Sequence, residues 1–215
     1  VTRALLEVLH AWRHPAALIT KSQLVLRDLD ILGAMAARGL VKAAVSVTTL
    51  DRRIARVMEP RAAAPHRRIE VIAALAEMGV PVTVMLAPII PAINDDEIEA
   101  ILEQAARAGA ASAGYVALRM PLEIKDLFQQ WLQAHFPNRA ARVLKLVREM
   151  RGGRDYDSSW GQRQTGIGPY ARLIADRFAR ACRRYGLDRP RLELDCTQFR
   201  RPQGSGEQGD LFETG

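Results

Sequence analysis

Cysteine is nearly absent from this sequence of 215 residues: it occurs twice, as Cys182 and Cys196. Two cysteines exclude a disulfide framework and make a reducing cytoplasm the expected compartment. They also fall short of the three or four thiolates that an iron–sulfur cluster usually takes. Cys196 has no histidine close in sequence to activate it and reads as a structural thiol. Histidine is scarce as well. His10, His14, His66 and His135 are scattered, and none stands at metal-ligand spacing. No glycine-rich phosphate loop follows a strand-like run. No uncharged stretch reaches the roughly 18–20 apolar residues of a membrane span, so no membrane association is expected. Val1 to His14 is charged throughout and has no apolar segment ending in a cleavage site, so no signal peptide is expected.

What is there is a basic, moderately apolar chain: 48% hydrophobic, 26% charged, with a net charge of +7. Its length suits one ordinary domain with a real core. The charge is uneven. Residues 121–200 hold 16 basic and 9 acidic side chains, residues 1–120 hold 14 and 12, and residues 201–215 hold 1 and 3. Such a concentration points to a polyanion partner. A coding bias toward arginine and alanine accounts for it equally well, since 27 of the 31 basic residues are Arg and Ala occurs 33 times.

Hydrophobic periodicity predicts an α/β rhythm over the first 121 residues. Thr2 to Trp12 reads as a helix with Thr2 as its cap, ended by His14-Pro15. Ala16 to Thr20 reads as a buried strand. Val25 to Arg38 reads as a helix stopped by Gly39. Val41 to Val47 is the next strand. Pro65 to Met78 is a helix, Val80 to Ala87 a strand, and Asn94 or Asp95 caps a helix running to Ala108. Ala113 to Leu118 is the fourth strand. Apolar strands alternating with helices imply parallel β/α units with covered sheet faces, either an open doubly wound sheet or an arc of a β/α barrel. Residues 122–201 read as a basic helical extension, with helices at 122–134, 139–150 and 169–185 and a short strand at Leu192 to Leu194. Asp155, Tyr156, Asp157 and Trp160 make a polar aromatic loop that reads either as a lid or as plain surface. Residues 202–215 read as a disordered tail.

In parallel β/α folds ligands bind beyond the carboxyl ends of strands. Those ends offer Lys21 and Ser22, Ser46 and Thr48, Ala87 to Pro91, and Arg119 with Met120. Lys21 and Arg119 suit anions, and the hydroxyls suit hydrogen bonds. Pro88 to Pro91 offers carbonyls that could receive an amino group such as an adenine N6.

Several linked segments resemble one family. Ile19-Thr-Lys-Ser22, Val45-Ser-Val-Thr-Thr-Leu-Asp51, Met58-Glu-Pro-Arg61, the run Ala87 to Asp95 and Tyr115-Val-Ala-Leu-Arg-Met-Pro121 resemble the spore-photoproduct-lyase-like branch of radical S-adenosylmethionine (SAM) proteins, whose members are often labelled DNA repair photolyases. Leu127-Phe to His135-Phe-Pro137 and Met150 to Tyr156 resemble a C-terminal extension in that branch. The resemblance spans about residues 2 to 202. It implies a partial (β/α)6 barrel in which a C-x-x-x-C-x-x-C loop holds a 4Fe-4S cluster. That cluster reduces bound SAM and releases a 5′-deoxyadenosyl radical. By position, Lys21 resembles the residue that pairs with the SAM carboxylate. Ser46 and Thr48 resemble polar positions near the SAM ribose or carboxylate. Pro88, Ile89 and Pro91, with Val116 to Leu118, correspond to backbone lining the adenine.

The sequence departs from the family at one point. Its first strand matches the family's third, and the cysteine loop and the acidic motif that receives the SAM amino group are not in it. The chain is therefore expected to be the C-terminal portion of a radical SAM enzyme of nucleic-acid repair, unable alone to bind a cluster. An unpaired sheet edge and an exposed barrel interior are expected to favour self-association. The alternatives are a non-catalytic DNA- or sliding-clamp-binding module and, less favoured, an α/β enzyme using another small ligand at Lys21 and Arg119.

Two segments bear on partners. Arg139, Arg142, Lys145, Arg148, Arg151 and Arg154 recur every three residues and form a slanting helical stripe opposite Ala140, Val143, Leu144, Val147 and Met150. Arg172, Arg177, Arg180, Arg183 and Arg184 form a second cluster. Both suit DNA phosphates or, equally, solvated helix faces. In the tail, Gln208-Gly-Asp-Leu211-Phe212 resembles short peptides that dock on the replication sliding clamp.

Overall fold

The computed structural model of the chain describes residues 1–121, 124–154, 163–190 and 192–201. Asp155, Tyr156, Asp157, Trp160, Gln208, Leu211 and Phe212 lie outside the described residues.

Four strands form one parallel sheet: β1 (Ala16–Thr20), β2 (Val41–Ser46), β3 (Val82–Ile89) and β4 (Ser112–Ala117). Their spatial order is β1-β2-β3-β4, the same as the chain order. A doubly wound sheet reverses strand order at a switch point. This one does not, so the barrel arc is the architecture formed.

The covering is one-sided. The helices α1 (Thr2–Ala11), α2 (Leu29–Ala36), α4 (Pro65–Glu77) and α5 (Ile98–Arg107) put Leu6, Leu32, Met35, Val71, Ile72, Leu75, Ile101 and Leu102 into one core with Ala43, Val45, Val82, Val84 and Leu86 of the sheet. Successive strand residues point to opposite faces. The intervening Ala17, Ile19, Ala44, Thr83, Met85 and Ser112 therefore line an open concave face with a cavity of about 340 Å³. The expectation of two covered faces is corrected here. So is that of a fully buried first strand, because Ile19 is 76% exposed.

Local chemistry explains the other departures. The predicted helix 25–38 is split. A 3-10 turn, Gln23–Asp28, precedes α2, and the Ser22 hydroxyl caps that turn by accepting from Leu24 N at 3.1 Å. Thr2 lies inside α1, and Val1 holds the cap position. A short helix, α3 (Arg52–Met58), follows β2, nucleated by Asp51, whose carboxylate accepts from Arg53 N at 2.6 Å. Strand β3 runs through the cis Ala87–Pro88 bond as far as Ile89.

The C-terminal extension holds α6 (Ile124–His135), α7 (Pro137–Glu149) and α8 (Gly168–Tyr185). Helix α8 lies on α5 and adds Ala171, Ile174, Ala181 and Cys182 to the main core. Helices α6 and α7 sit over the carboxyl ends of the strands. Their Leu132, Ala140, Val143 and Val147 form a second core with Ile90, Ile93, Leu118 and Met120. Leu192 to Leu194 is not a strand. The segment is a strap across the opposite end of the sheet: Lys42 donates to Leu192 O at 2.8 Å, Asp195 N to Gly39 O at 3.2 Å and Gln198 to Arg38 O at 2.8 Å. Among the described residues, no helix is long and apolar enough to cross a membrane.

Candidate functional site

The strand ends converge on one carboxylate. Pro60 ends α3 one residue after Glu59, which leaves Glu59 at the helix C-cap, turned over the ends of β1 and β2. The Glu59 side chain is 11% exposed. It accepts from Lys21 Nζ at one oxygen and, at the other, from Thr48 Oγ1 at 2.8 Å and Arg68 Nη2 at 2.6 Å. Burial pushes the Glu59 carboxyl up, but the hydrogen bonds from Lys21, Thr48 and Arg68 outweigh it and hold the group below its ordinary value. It is an anion at neutral pH.

Arg68 is the buried anchor of this cluster, 2% exposed. Its Nε donates to Ala63 O at 2.7 Å and its Nη1 to Ser46 O at 3.1 Å. Asn94 fixes the neighbouring loops. Its amide donates to Thr48 O at 2.7 Å and Pro88 O at 3.0 Å, and its oxygen accepts from Ile90 N at 2.7 Å. Asn94 is thus a buried staple between two strand ends; it stands at the N-cap of the 3-10 turn Asp95–Glu97 that precedes α5, but its side chain makes no capping bond.

Beside Glu59 runs an apolar groove of about 370 Å³. Met58, Pro88, Ile90 and Leu118 form its floor, and Ile124, Leu127, Phe128 and Trp131 of α6 its roof. Trp131 is locked there. Its Nε1 donates to Val57 O at 2.9 Å, and Phe128 stacks on it at 5.5 Å between centroids. A larger cavity of about 620 Å³ lies between the N-terminus of α3 and the α6–α7 junction, lined by both signs of charge. Pro88 and Leu118 line the groove, as does Glu59, which holds Lys21 and Thr48, and none of these residues lines the larger cavity, so the groove is the better candidate.

Of the residues expected from sequence, Lys21, Thr48, Pro88 and Leu118 meet at this groove or at Glu59. Ser46 is buried, and its carbonyl is held by Arg68. Ser22 is spent on the 3-10 turn. The carbonyls expected to be open are engaged: Pro88 O by Asn94, and Ile89 O by Leu118 N at 2.9 Å. Pro91 is buried, while Val116 and Arg119 are partly buried outside the groove lining. Sequence reasoning gave no site role to Glu59, Arg68 or Trp131, although Glu59 and Trp131 lie in segments that carry the resemblance, and it read Asn94 only as a helix cap. One signal was available for Arg68. It stands in register with Pro65, Val71, Ile72 and Leu75, the buried stripe of α4.

The basic stripe divides. Arg139, Arg142, Lys145 and Arg148 on α7 are exposed, as is Arg154. Arg151 is 2% exposed and donates to Leu118 O at 2.9 Å, which corrects its assignment to a phosphate-contacting surface. In the second cluster, Arg177 is engaged by Glu99 at 2.8 and 2.6 Å.

The radical SAM superfamily matches residues 3–105. An uncharacterized protein of Mycobacterium tuberculosis is 29% identical over 136 residues, 62% of this chain and 40% of the relative. An uncharacterized protein of Acidianus two-tailed virus is 36% identical over 95 residues, 42% of this chain and 31% of the relative. The chain thus spans well under half the length of these relatives. A point mutant of spore photoproduct lyase superposes with a TM-score of 0.54 at 16% identity, over 86% of this chain and 52% of that one. At that identity the likeness is one of fold. Residues 3–105 thus match the radical SAM superfamily, and the chain shares its fold with spore photoproduct lyase.

Proposed function

We propose that the groove at the strand ends binds S-adenosylmethionine, and that the chain works as part of a radical SAM enzyme acting on nucleic acid. The observation that carries this is the meeting of Lys21, Thr48 and Glu59 at one end of an apolar groove floored by Pro88, Ile90 and Leu118. SAM is a flat purine joined to a charged amino acid, and a groove with an apolar floor and a charged end suits both parts. When bound, SAM supplies the adenosyl group on which the family's chemistry depends. The chain's own residues would hold the carboxylate (Lys21), bury the purine (Pro88, Ile90, Leu118) and exclude water (Phe128 and Trp131). The nucleic-acid part of the reading is supported by the fold likeness to spore photoproduct lyase and by the basic face of α7.

The residues present do not fit the cluster. Cys182 is buried on α8, where burial pushes its thiol up to about 11, and Cys196 lies exposed on the strap. Among the described residues, no group of three or more His, Cys, Asp or Glu side chains could hold a metal ion. These 215 residues alone are therefore expected to lack radical activity. Equilibrium dialysis with labelled SAM tests the groove: saturable binding that Lys21→Met weakens supports the reading, and no binding sinks it. Anaerobic iron–sulfide reconstitution tests the second point. A stoichiometric 4Fe-4S cluster on this chain would overturn it.

A second reading has its own observation, the exposed Arg139, Arg142, Lys145 and Arg148 on α7. In it the chain contacts DNA without catalysis, or docks on the sliding clamp through Gln208 to Phe212. Duplex binding would then fall steeply with salt, with a log–log slope of about −0.9 per neutralised phosphate. Reversing Arg142 and Lys145 to Glu would abolish it. Salt-insensitive binding would exclude it.

A further inference from the structure

Averaged over residues 1–120 the positive charge is slight, but it is not evenly spread. Residues 52–68 hold six arginines and one acid, Glu59, while the rest of residues 1–120 hold 8 basic and 11 acidic side chains. The fold gathers part of this charge around a cavity of about 290 Å³ between α3 and the start of α4. Its charged and polar lining is Arg52, Arg56, His66 and Glu59, and the small side chains of the turn 60–65 complete it. Arg52 and Arg56 stand one turn apart on the same face of α3. Arg52 Nη2 lies 3.5 Å from His66 Nδ1. Neither arginine forms an ion pair with an acid among the described residues. The one acid of the lining is already compensated, since Lys21 and Arg68 hold Glu59. The cavity therefore presents two uncompensated cations, and a concave site lined by one sign focuses its field inward. Glu59 also lines the apolar groove, so the two sites adjoin.

We propose that this cavity holds the backbone phosphate of a nucleic-acid strand, clamped by Arg52 and Arg56 with His66 as a further contact, beside the groove. This rests on the nucleic-acid part of the functional reading and gives it a surface, α3 rather than the open face of α7. The chemistry is that of the guanidinium fork, whose parallel N–H donors match two phosphate oxygens. A strand suits the place better than a free phosphate. Arg53 and Arg61 are exposed in the same segment and lie outside the cavity, so the positive potential continues past a single phosphate.

The test is fluorescence anisotropy of a short labelled single-stranded DNA with the full chain, over a salt series from about 50 to 200 mM. The double variant Arg52→Gln, Arg56→Gln is expected to weaken binding about tenfold or more. It should also lower the log–log salt slope by about 1.4, the share of two single-strand phosphates. Its urea midpoint should match wild type, because both side chains are exposed. A control, Arg67→Gln with Arg107→Gln, removes the same charge from residues already paired with Glu70 and Glu103 and should bind nearly as wild type does. Equal loss in the two variants means that only net charge is read, and overturns the proposal. Full binding by the α3 variant, with the loss falling instead on Arg142→Glu, Lys145→Glu, overturns it too, while the nucleic-acid reading stands. Displacement of the strand by an equal concentration of a deoxynucleoside monophosphate marks a free-phosphate site and overturns the assignment to a strand. If wild type binds no strand at all, the nucleic-acid reading itself falls and the proposal with it.

Discussion

At the scale of single residues, Arg68 and Asn94 hold the site together by satisfying buried acceptors. Arg68 reaches Ala63 O, Ser46 O, Thr48 Oγ1 and Glu59 from one buried position. Its loss leaves Glu59 buried with less compensation, and breaking a buried pair costs about 3–5 kcal/mol. Arg68→Met should therefore lower the urea midpoint sharply, by several-fold more than the exposed Arg67→Met. Asn94→Ala orphans two carbonyls and one N–H and should cost about 1–3 kcal/mol by the same measurement. Acid titration adds a sign. Glu59 is held below its unfolded value, so its contribution is present above the unfolded carboxylate range and is lost as pH falls through the folded value. The acid midpoint of Glu59→Gln should accordingly depend less on pH than that of wild type.

At the scale of elements, two contacts decide where the C-terminal helices go. Helix α8 is tied to the start of α5 by Tyr170, which donates to Asp95 Oδ2 at 2.5 Å, and by the Arg177–Glu99 pair. Burial first, then the hydrogen bond to Asp95, pushes the Tyr170 phenol up to about 12. A raised acid holds its proton in the folded state, so this contribution is complete below the ordinary tyrosine range, about 10, and is lost as pH rises toward the folded value. Tyr170→Phe should therefore destabilise the chain at neutral pH and flatten its alkaline unfolding profile between those values. Helix α6 is positioned by Trp131 and its bond to Val57 O. Its apolar stripe was readable in sequence, but its seat over the strand ends was not, because an amphipathic pattern says which face is buried and not against what. The stripe on α7 makes the same point. Arg151 has the spacing of its exposed neighbours, yet the chain turns after Met150 and carries it inward to Leu118 O.

At the scale of the whole molecule, the sheet has one packed face and one open one. Among the described residues β1 pairs with β2 alone, and Ile19 stands 76% exposed on the concave side. An apolar edge of this kind favours association. Ile19→Lys should reduce self-association in sedimentation velocity and leave the unfolding midpoint nearly unchanged, since an exposed side chain contributes little to stability. Unchanged association would show that the open face is not what joins copies.

The amino-acid sequence determined the local structure. Apolar runs bounded by glycine and proline specified all four strands to within two residues, and three-and-four spacing specified α1, α4, α5, α7 and α8. These signals are short-range, set by burial of one side of each element. The linked motifs likewise pointed to the superfamily that matches residues 3–105. Tertiary structure decided the rest. It chose the barrel arc over the doubly wound sheet, because strand order is a property of crossovers and not of any one segment. It joined Lys21, Thr48, Glu59 and Arg68, which come from four separate elements and meet only when β1 and β2 pair and α4 packs behind them. A buried arginine in a helix stripe and a glutamate before a proline are ordinary in sequence. Only the fold brings them together on one largely buried carboxylate.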